Sequence, residues 1–154
     1  MQKILISRCL QGELVRYDGK SNPIEHEILD TWQQQGRLVG ICPEVAGGLS
    51  TPRPPAEIQP DGKVLTINGE DVSAAFTQGA QQALKLCQKH HIKMAILKQS
   101  SPSCGSLRIY DGNFSGTKIA GEGTTTALLR AHGIAVFCEQ TLPQAIDFFN
   151  CLND

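Results

Sequence analysis

Three of the six cysteines in this 154-residue chain, Cys9, Cys42 and Cys104, each follow a short aliphatic run by only a few residues. The runs are Lys3-Ile-Leu-Ile-Ser7, Leu38-Val-Gly-Ile41 and Met94-Ala-Ile-Leu97. Buried parallel strands read as brief apolar runs, and open α/β sheets bind their ligands beyond the carboxyl ends of the strands. Thiols in those loops can converge although they lie far apart in sequence. Three converging thiolates point to a metal, and three isolated ligands leave one coordination position open, as a catalytic zinc or an iron–sulfur cluster with a free iron needs. Structural zinc instead takes four ligands in paired knuckles, and the chain has no Cys-x-x-Cys. A single cysteine of this kind reads equally well as a small buried hydrophobe; three at strand ends in polar loops do not.

Cys87 on a helix, Cys138 at the end of an apolar strand and Cys151 near the end of the chain read as packing residues. Cys138 shares the strand-end placement and is a reserve candidate for a fourth ligand. Pro43 after Cys42 is a backbone stop, and Gly105 after Cys104 suits close approach to a bulky ligand. Glu44 and Asp18 are carboxylates in loops on the same expected face, each a candidate general acid or base; capping is the competing role, strongest for Asp18 ahead of Gly19. Ser100, Ser101 and Ser103 crowd the loop that carries Cys104. Hydrogen bonding suits them better than nucleophilic attack, because no Gly-x-Ser-x-Gly elbow or nearby histidine supports a nucleophile. His26, His90, His91 and His132 fall on predicted helices away from the strand ends. Gly121-Glu-Gly123 before a helix is a weak anion-site signal without a Walker lysine.

Those residues need a scaffold. After the first strand a polar loop spans Arg8 to Lys20, and Asn22 before Pro23 is placed to cap a helix over Ile24 to Gln35 that ends at Gly36. The second strand ends at Ile41. From Pro43 to Pro60 the chain is rich in Gly and Pro, which predicts extended backbone and no helix. Pro60-Asp-Gly62 predicts a hairpin of Ala56–Gln59 with Val64–Ile67. Val72, Phe76, Gly79, Ala83, Leu86 and His90 form one stripe of a long helix from Glu70, with Cys87 beside it. A third strand, a second small hairpin (Leu107–Tyr110 with Phe114–Ile119), a helix to His132, a fourth strand (Ile134–Cys138) and a last helix from about Pro143 to Leu152 complete the chain. The expected fold is α/β: a three-layer, Rossmann-like parallel sheet with helices on both faces, right-handed crossovers and small hairpin insertions, in one domain over 1–154.

Composition narrows the partners. At this length folding buries about 68–70% of the unfolded surface, so a core forms without disulfide staples. The net charge is −1, 19% of residues are charged, and no Lys or Arg run occurs, so neither nucleic acid nor an anionic membrane is expected. With no leader-like start and no stretch of ~20 apolar residues, a cytoplasmic location is expected, where thiols stay reduced. A small, uncharged partner fits best.

Six segments in order carry a family resemblance: Ile4-Leu-Ile-Ser-Arg-Cys-Leu-Gln-Gly12, Arg16-Tyr-Asp-Gly-Lys20, Cys42-Pro-Glu-Val-Ala-Gly-Gly-Leu49, Thr51-Pro-Arg-Pro-Pro-Ala-Glu57, Lys98-Gln-Ser-Ser-Pro-Ser-Cys-Gly105 and Ile109-Tyr-Asp-Gly112. Together they resemble the thiouracil desulfidase family over nearly the whole chain. The first segment departs from the usual Ala-Cys-Leu-Leu-Gly by carrying Arg8 and Gln11. The resemblance implies that Cys9, Cys42 and Cys104 hold a 4Fe-4S cluster with one iron free of protein ligands. It places Glu44 and Ser100 at acid–base positions, with Ser101 as the alternative to Ser100. Asp18, Arg53 and Ser103 stand beside them as candidates for substrate contact or support. The implied partner is a small thiolated nucleobase, desulfurated without redox chemistry to uracil and sulfide. Two other readings compete: a non-catalytic metal or iron–sulfur protein such as a sensor or carrier, and a thiol-redox module, which the missing Cys-x-x-Cys disfavours.

Overall fold

Ile4, Leu5 and Ile6 are all fully buried, and successive strand side chains point to opposite faces, so the first strand must be covered on both sides. The computed structural model describes residues 1–21 and 23–152. The chain runs β1 (Ile4–Ser7), a 3-10 turn (Arg8–Gln11), α1 (Glu27–Gln34), β2 (Leu38–Ile41), α2 (Pro43–Ala46), β3 (Ala56–Ile58), β4 (Val64–Thr66) and α3 (Ser73–His90). It continues through β5 (Met94–Ile96), β6 (Arg108–Tyr110), β7 (Lys118–Ala120), α4 (Thr124–Ala131), β8 (Ala135–Phe137), a second 3-10 turn (Glu139–Thr141) and α5 (Leu142–Asn150).

The central sheet is parallel, in the order β2-β1-β5-β8. Ile4, Ile6, Met94 and Ile96 turn to one face and meet Leu29 and Trp32 of α1 and Leu142 and Ala145 of α5. Leu5 and Ala95 turn to the other, where Ala83 and Cys87 of α3 and Leu129 of α4 close the core. This is the expected three-layer α/β arrangement. β1 and β5 lie side by side, and the chain leaves β1 toward β2 but leaves β5 toward β8, in opposite directions along the sheet. A crevice opens at such a switch point beyond the carboxyl ends of the strands. The antiparallel pairs β3–β4 and β6–β7 are the two expected hairpins. No helix among the described residues is long and apolar enough to cross a membrane.

The structure corrects several local expectations. The loop after β1 begins with a 3-10 turn. The first helix starts later than Ile24, and its cap is His26, whose ring nitrogen accepts the Ile28 N–H at 3.0 Å; Asn22 lies outside the described residues. Cys87 is in the centre of the buried α3 stripe, whereas Leu86 is only half-buried. Cys151 is exposed, not the packing residue expected. A helix does form after Pro43: as the first helical residue, proline loses no hydrogen bond, because that N–H has no intrahelical acceptor.

That short helix is fixed by two glycines. A Cβ on Gly79 of α3 would collide with the Pro43 carbonyl, and a Cβ on Gly47 with the Ala75 carbonyl. We expect Gly79→Ala to gain about 1 kcal/mol of helix propensity and to lose about 3 kcal/mol by overpacking against backbone that cannot retract. The melting temperature should therefore fall by about 4–8 °C, and an unchanged value would show that α2 can move away freely.

Candidate active site

Beyond the ends of β1, β2 and β5 lies a cavity of about 310 Å³, at the small end of the range of about 300–1,000 Å³ for small-molecule sites. Cys9, Cys42 and Cys104 all line it, with Glu44, Arg53, Ser100, Ser101 and Ser103. All six cysteines are free thiols. Burial drives the Cys9 thiol up to about 11, reinforced by Cys42 and opposed by the Lys98 ammonium. Burial likewise pushes Cys104 to about 12, against hydroxyl donors from Ser103 and Ser7, with Cys9 and Cys42 adding to the rise. Cys42 is raised by burial, against amides at the start of α2. Each thiol thus lies within electrostatic reach of another, which is the convergence that the strand-end positions predict. Ser7 and Ser103 both donate to Cys104 Sγ at 3.5 Å.

Glu44 is held at both oxygens. Oε2 receives Arg53 Nε at 2.8 Å and Nη2 at 2.6 Å, and Oε1 accepts from the hydroxyls of Ser101 at 3.3 Å and Ser103 at 3.1 Å. Arg53 and Glu44 side chains are only 7% and 13% exposed. The guanidinium also donates to the carbonyls of Val15 and Ser50 and to Thr51 Oγ1. Val15 O is within 3.7 Å of Cys42 Sγ, so the clamp around Glu44 shares a partner with one of the thiols.

The loop after β5 is organised by Gln99, a residue that sequence reasoning missed. Its Oε1 accepts the amides of Ser100, Ser106, Leu107 and Arg108 at 3.0–3.3 Å, and its Nε2 donates to Ser106 Oγ and Cys138 Sγ. No periodicity could have exposed this, since one amide oxygen serves backbone groups from both ends of the loop. Ser100 has φ +68, a conformation costing a non-glycine residue about 1–3 kcal/mol; the Gln99 bond to its amide helps hold it.

The three serines then part in role. Ser101 Oγ accepts the amides of Ser103 and Cys104 at 3.1 and 3.2 Å and lies 2.9 Å from Ser103 Oγ, so it is committed to loop and clamp. Ser100 Oγ has no hydrogen-bond partner among the described residues, yet Ser100 lines the cavity.

Other candidates are not brought in. Asp18 does not line the cavity; Oδ1 accepts the Lys20 amide at 3.0 Å and Oδ2 pairs with Arg16 at 3.2 Å, a turn-capping role. Cys138 is likewise outside the cavity, its sulfur taken by Gln99 and by Thr141 Oγ1 at 3.6 Å. The space beside Gly105 is filled by the carbonyls of Ser101 and Arg108, not left for a ligand. The first amides of α4 are spent on the carbonyls of Pro102 and Ser103, so Gly121-Glu-Gly123 fastens the Cys104 loop and offers no anion site. The histidines stand at helix ends, away from the cavity.

Residues 4–141 match the family model described as 2-thiouracil desulfurase. The chain belongs to the 2-thiouracil desulfurase family. Within reach of this family in structure is a protein described as 4Fe-4S-dependent thiouracil desulfidase TudS. The two chains are 53% identical with a TM-score of 0.96, over 99% of this chain and 100% of that one. In sequence, the uncharacterized protein YbbK of Bacillus subtilis (strain 168) is 41% identical, over 90% of this chain and 97% of its own length. The desulfurase family match covers every segment that carries a cavity-lining cysteine.

Proposed function

We propose that the chain is a thiouracil desulfidase that exchanges the thiocarbonyl sulfur of a 2-thiouracil-like pyrimidine for the oxygen of water, giving uracil and hydrogen sulfide with no net redox change. The observation that carries the reading is the gathering of three buried thiols and a doubly clamped carboxylate around one cavity at the sheet's switch point. The likeness to TudS supports both the substrate class and a 4Fe-4S cofactor.

The residues fit such a cluster. Among the described residues, no three His, Cys, Asp or Glu side chains are gathered for a single metal ion. Tetrahedral zinc with Zn–S near 2.3 Å would draw three sulfurs to about 3.8 Å from one another. Three thiols that line one cavity suit a polynuclear centre, in which each thiolate takes its own iron. Cys9, Cys42 and Cys104 would hold it, leaving one iron without a protein ligand, and Cys138 is not placed to fill that position. When bound, the cluster supplies a thiophilic Lewis acid that polarises the carbon–sulfur bond.

The protein's own groups do the rest. Glu44 takes a proton from the water that attacks the thiocarbonyl carbon; Arg53 keeps the carboxylate aimed, and Ser101 and Ser103 hold its other oxygen. The proton that Glu44 takes up is returned to the ring or to the departing sulfur, with the unengaged hydroxyl of Ser100 as the relay, so that both side chains end as they began. Ser101 acts as a positioning residue.

Anaerobic reconstitution with iron and sulfide, followed by measurement of uracil and sulfide from 2-thiouracil, tests the reading. Equal amounts of both products are expected. Ser100→Ala should lower turnover by about 10²-fold with cluster absorbance retained, and Cys9→Ala should abolish the absorbance. A fully loaded cluster without uracil formation would leave a non-catalytic cluster protein, a sensor or carrier.

A further inference from the structure

The same cavity receives residues from the two hairpins, among them Glu57 of β3 and Tyr110 of β6. Glu57 is 8% exposed. Its Oε1 accepts the amides of Gly112 at 3.0 Å and Phe114 at 3.2 Å and so pins the turn between β6 and β7. Its Oε2 has no partner among the described residues, and no Lys or Arg there forms an ion pair with the carboxylate. Nor is Oε2 among the fully enclosed atoms lacking a partner, so it is not sealed off, and Glu57 lines the cavity.

Pinning the turn does not require a carboxylate, because the carbonyl of a glutamine would accept the same two amides. A buried carboxylate with no cation is costly, and two amides answer only one of its oxygens. The oxygen left over is an acceptor that needs an N–H or O–H donor from whatever enters the cavity. The ring of a thiolactam such as 2-thiouracil carries N–H groups on both sides of its thiocarbonyl. A carboxylate attracts those groups, repels the in-plane lone pair of a non-protonated ring nitrogen, and finds no donor and a steric block at an N-methylated one.

We infer that Glu57 is a substrate-recognition residue, whose carboxylate accepts a ring N–H of the pyrimidine while the sulfur faces the three thiols. The inference rests on the desulfidase reading for the identity of the ring and adds to it the group that reads the ring edge. Glu57 thereby has two jobs: Oε1 orders the β6–β7 hairpin, and Oε2 selects the ligand.

The test titrates uracil calorimetrically into anaerobically reconstituted wild type and Glu57→Gln, and follows turnover of 2-thiouracil and its N1-methyl and N3-methyl derivatives. Glu57→Gln should weaken uracil binding and raise KM by about 10- to 100-fold, with kcat changed by less than about threefold and cluster absorbance unchanged. Wild type should discriminate against one N-methyl derivative by a similar factor, and the variant should lose that preference. Equal uracil affinity in both proteins would overturn the inference. Should Glu57→Gln fail to fold, wild type alone decides: indifference to methylation at both nitrogens overturns it. Protein that binds uracil through Glu57 but turns over no thiouracil would overturn the desulfidase reading while upholding this one.

Discussion

Replacing Glu44 with glutamine is expected to lower thiouracil turnover by about 10²- to 10⁴-fold, the usual contribution of a positioned general base. Gln keeps a carbonyl for Arg53 and the same side-chain shape, so cluster absorbance should stay close to wild type, while the melting temperature should fall because the buried guanidinium loses its counter-charge. That combination separates loss of a proton acceptor from loss of the site. Single-turnover measurement of uracil formation on the reconstituted protein is the decisive readout. If Glu44→Gln turned over at the wild-type rate, Glu44 would be demoted to part of the scaffold.

The second large effect concerns stability. Arg53→Met leaves the Glu44 carboxylate with two serine hydroxyls and no cation, in a place where its side chain is only 13% exposed. Removing one partner of a buried pair costs about 3–5 kcal/mol, because the remaining charge is uncompensated. Methionine also abandons the carbonyls of Val15 and Ser50. Urea unfolding should register the loss as a lower midpoint at unchanged slope. Adding Glu44→Leu to Arg53→Met should recover part of it, since the orphaned charge is then gone, and additivity of the two substitutions would refute the coupling.

What could be read from the sequence follows from the range of the forces involved. Ile4-Leu-Ile and Met94-Ala-Ile are strands buried on both faces, and such strands must be uninterrupted and apolar. The strand-end rule then placed three thiols and Glu44 on one side of the sheet without any knowledge of their contacts. Local chemistry misled at α2, where Pro43 and a Gly-rich continuation suggested extended chain although proline at the first helical position breaks no bond. It also overrated Asp18, whose carboxylate was satisfied within its own turn. Arg53 stands in the sequence as a candidate for substrate contact or support, but its grip on Glu44 depends on how the segment after α2 folds back. Gln99 and Glu57 stand inside segments that carry the family resemblance, but nothing in the sequence assigns either a role. Each works by bonding backbone amides, and an amide looks the same in every residue of a sequence.

The order of strands in the sheet also bears on synthesis. Cys9 and Cys42 come from adjacent strands made early, but β5, which seats Cys104 next to them, joins the free edge of β1 only after the first hairpin and α3 have been made. The Cys104 loop is in turn anchored by the start of α4, through the Pro102 and Ser103 carbonyls. A nascent chain therefore presents two thiols without the third until β5 and the loop after it have left the ribosome. Delivery of a prosthetic group to the complete ligand set is thereby deferred until β5 and the start of α4 have been made, and a product that stops short of α4 lacks the anchor of its third thiol loop.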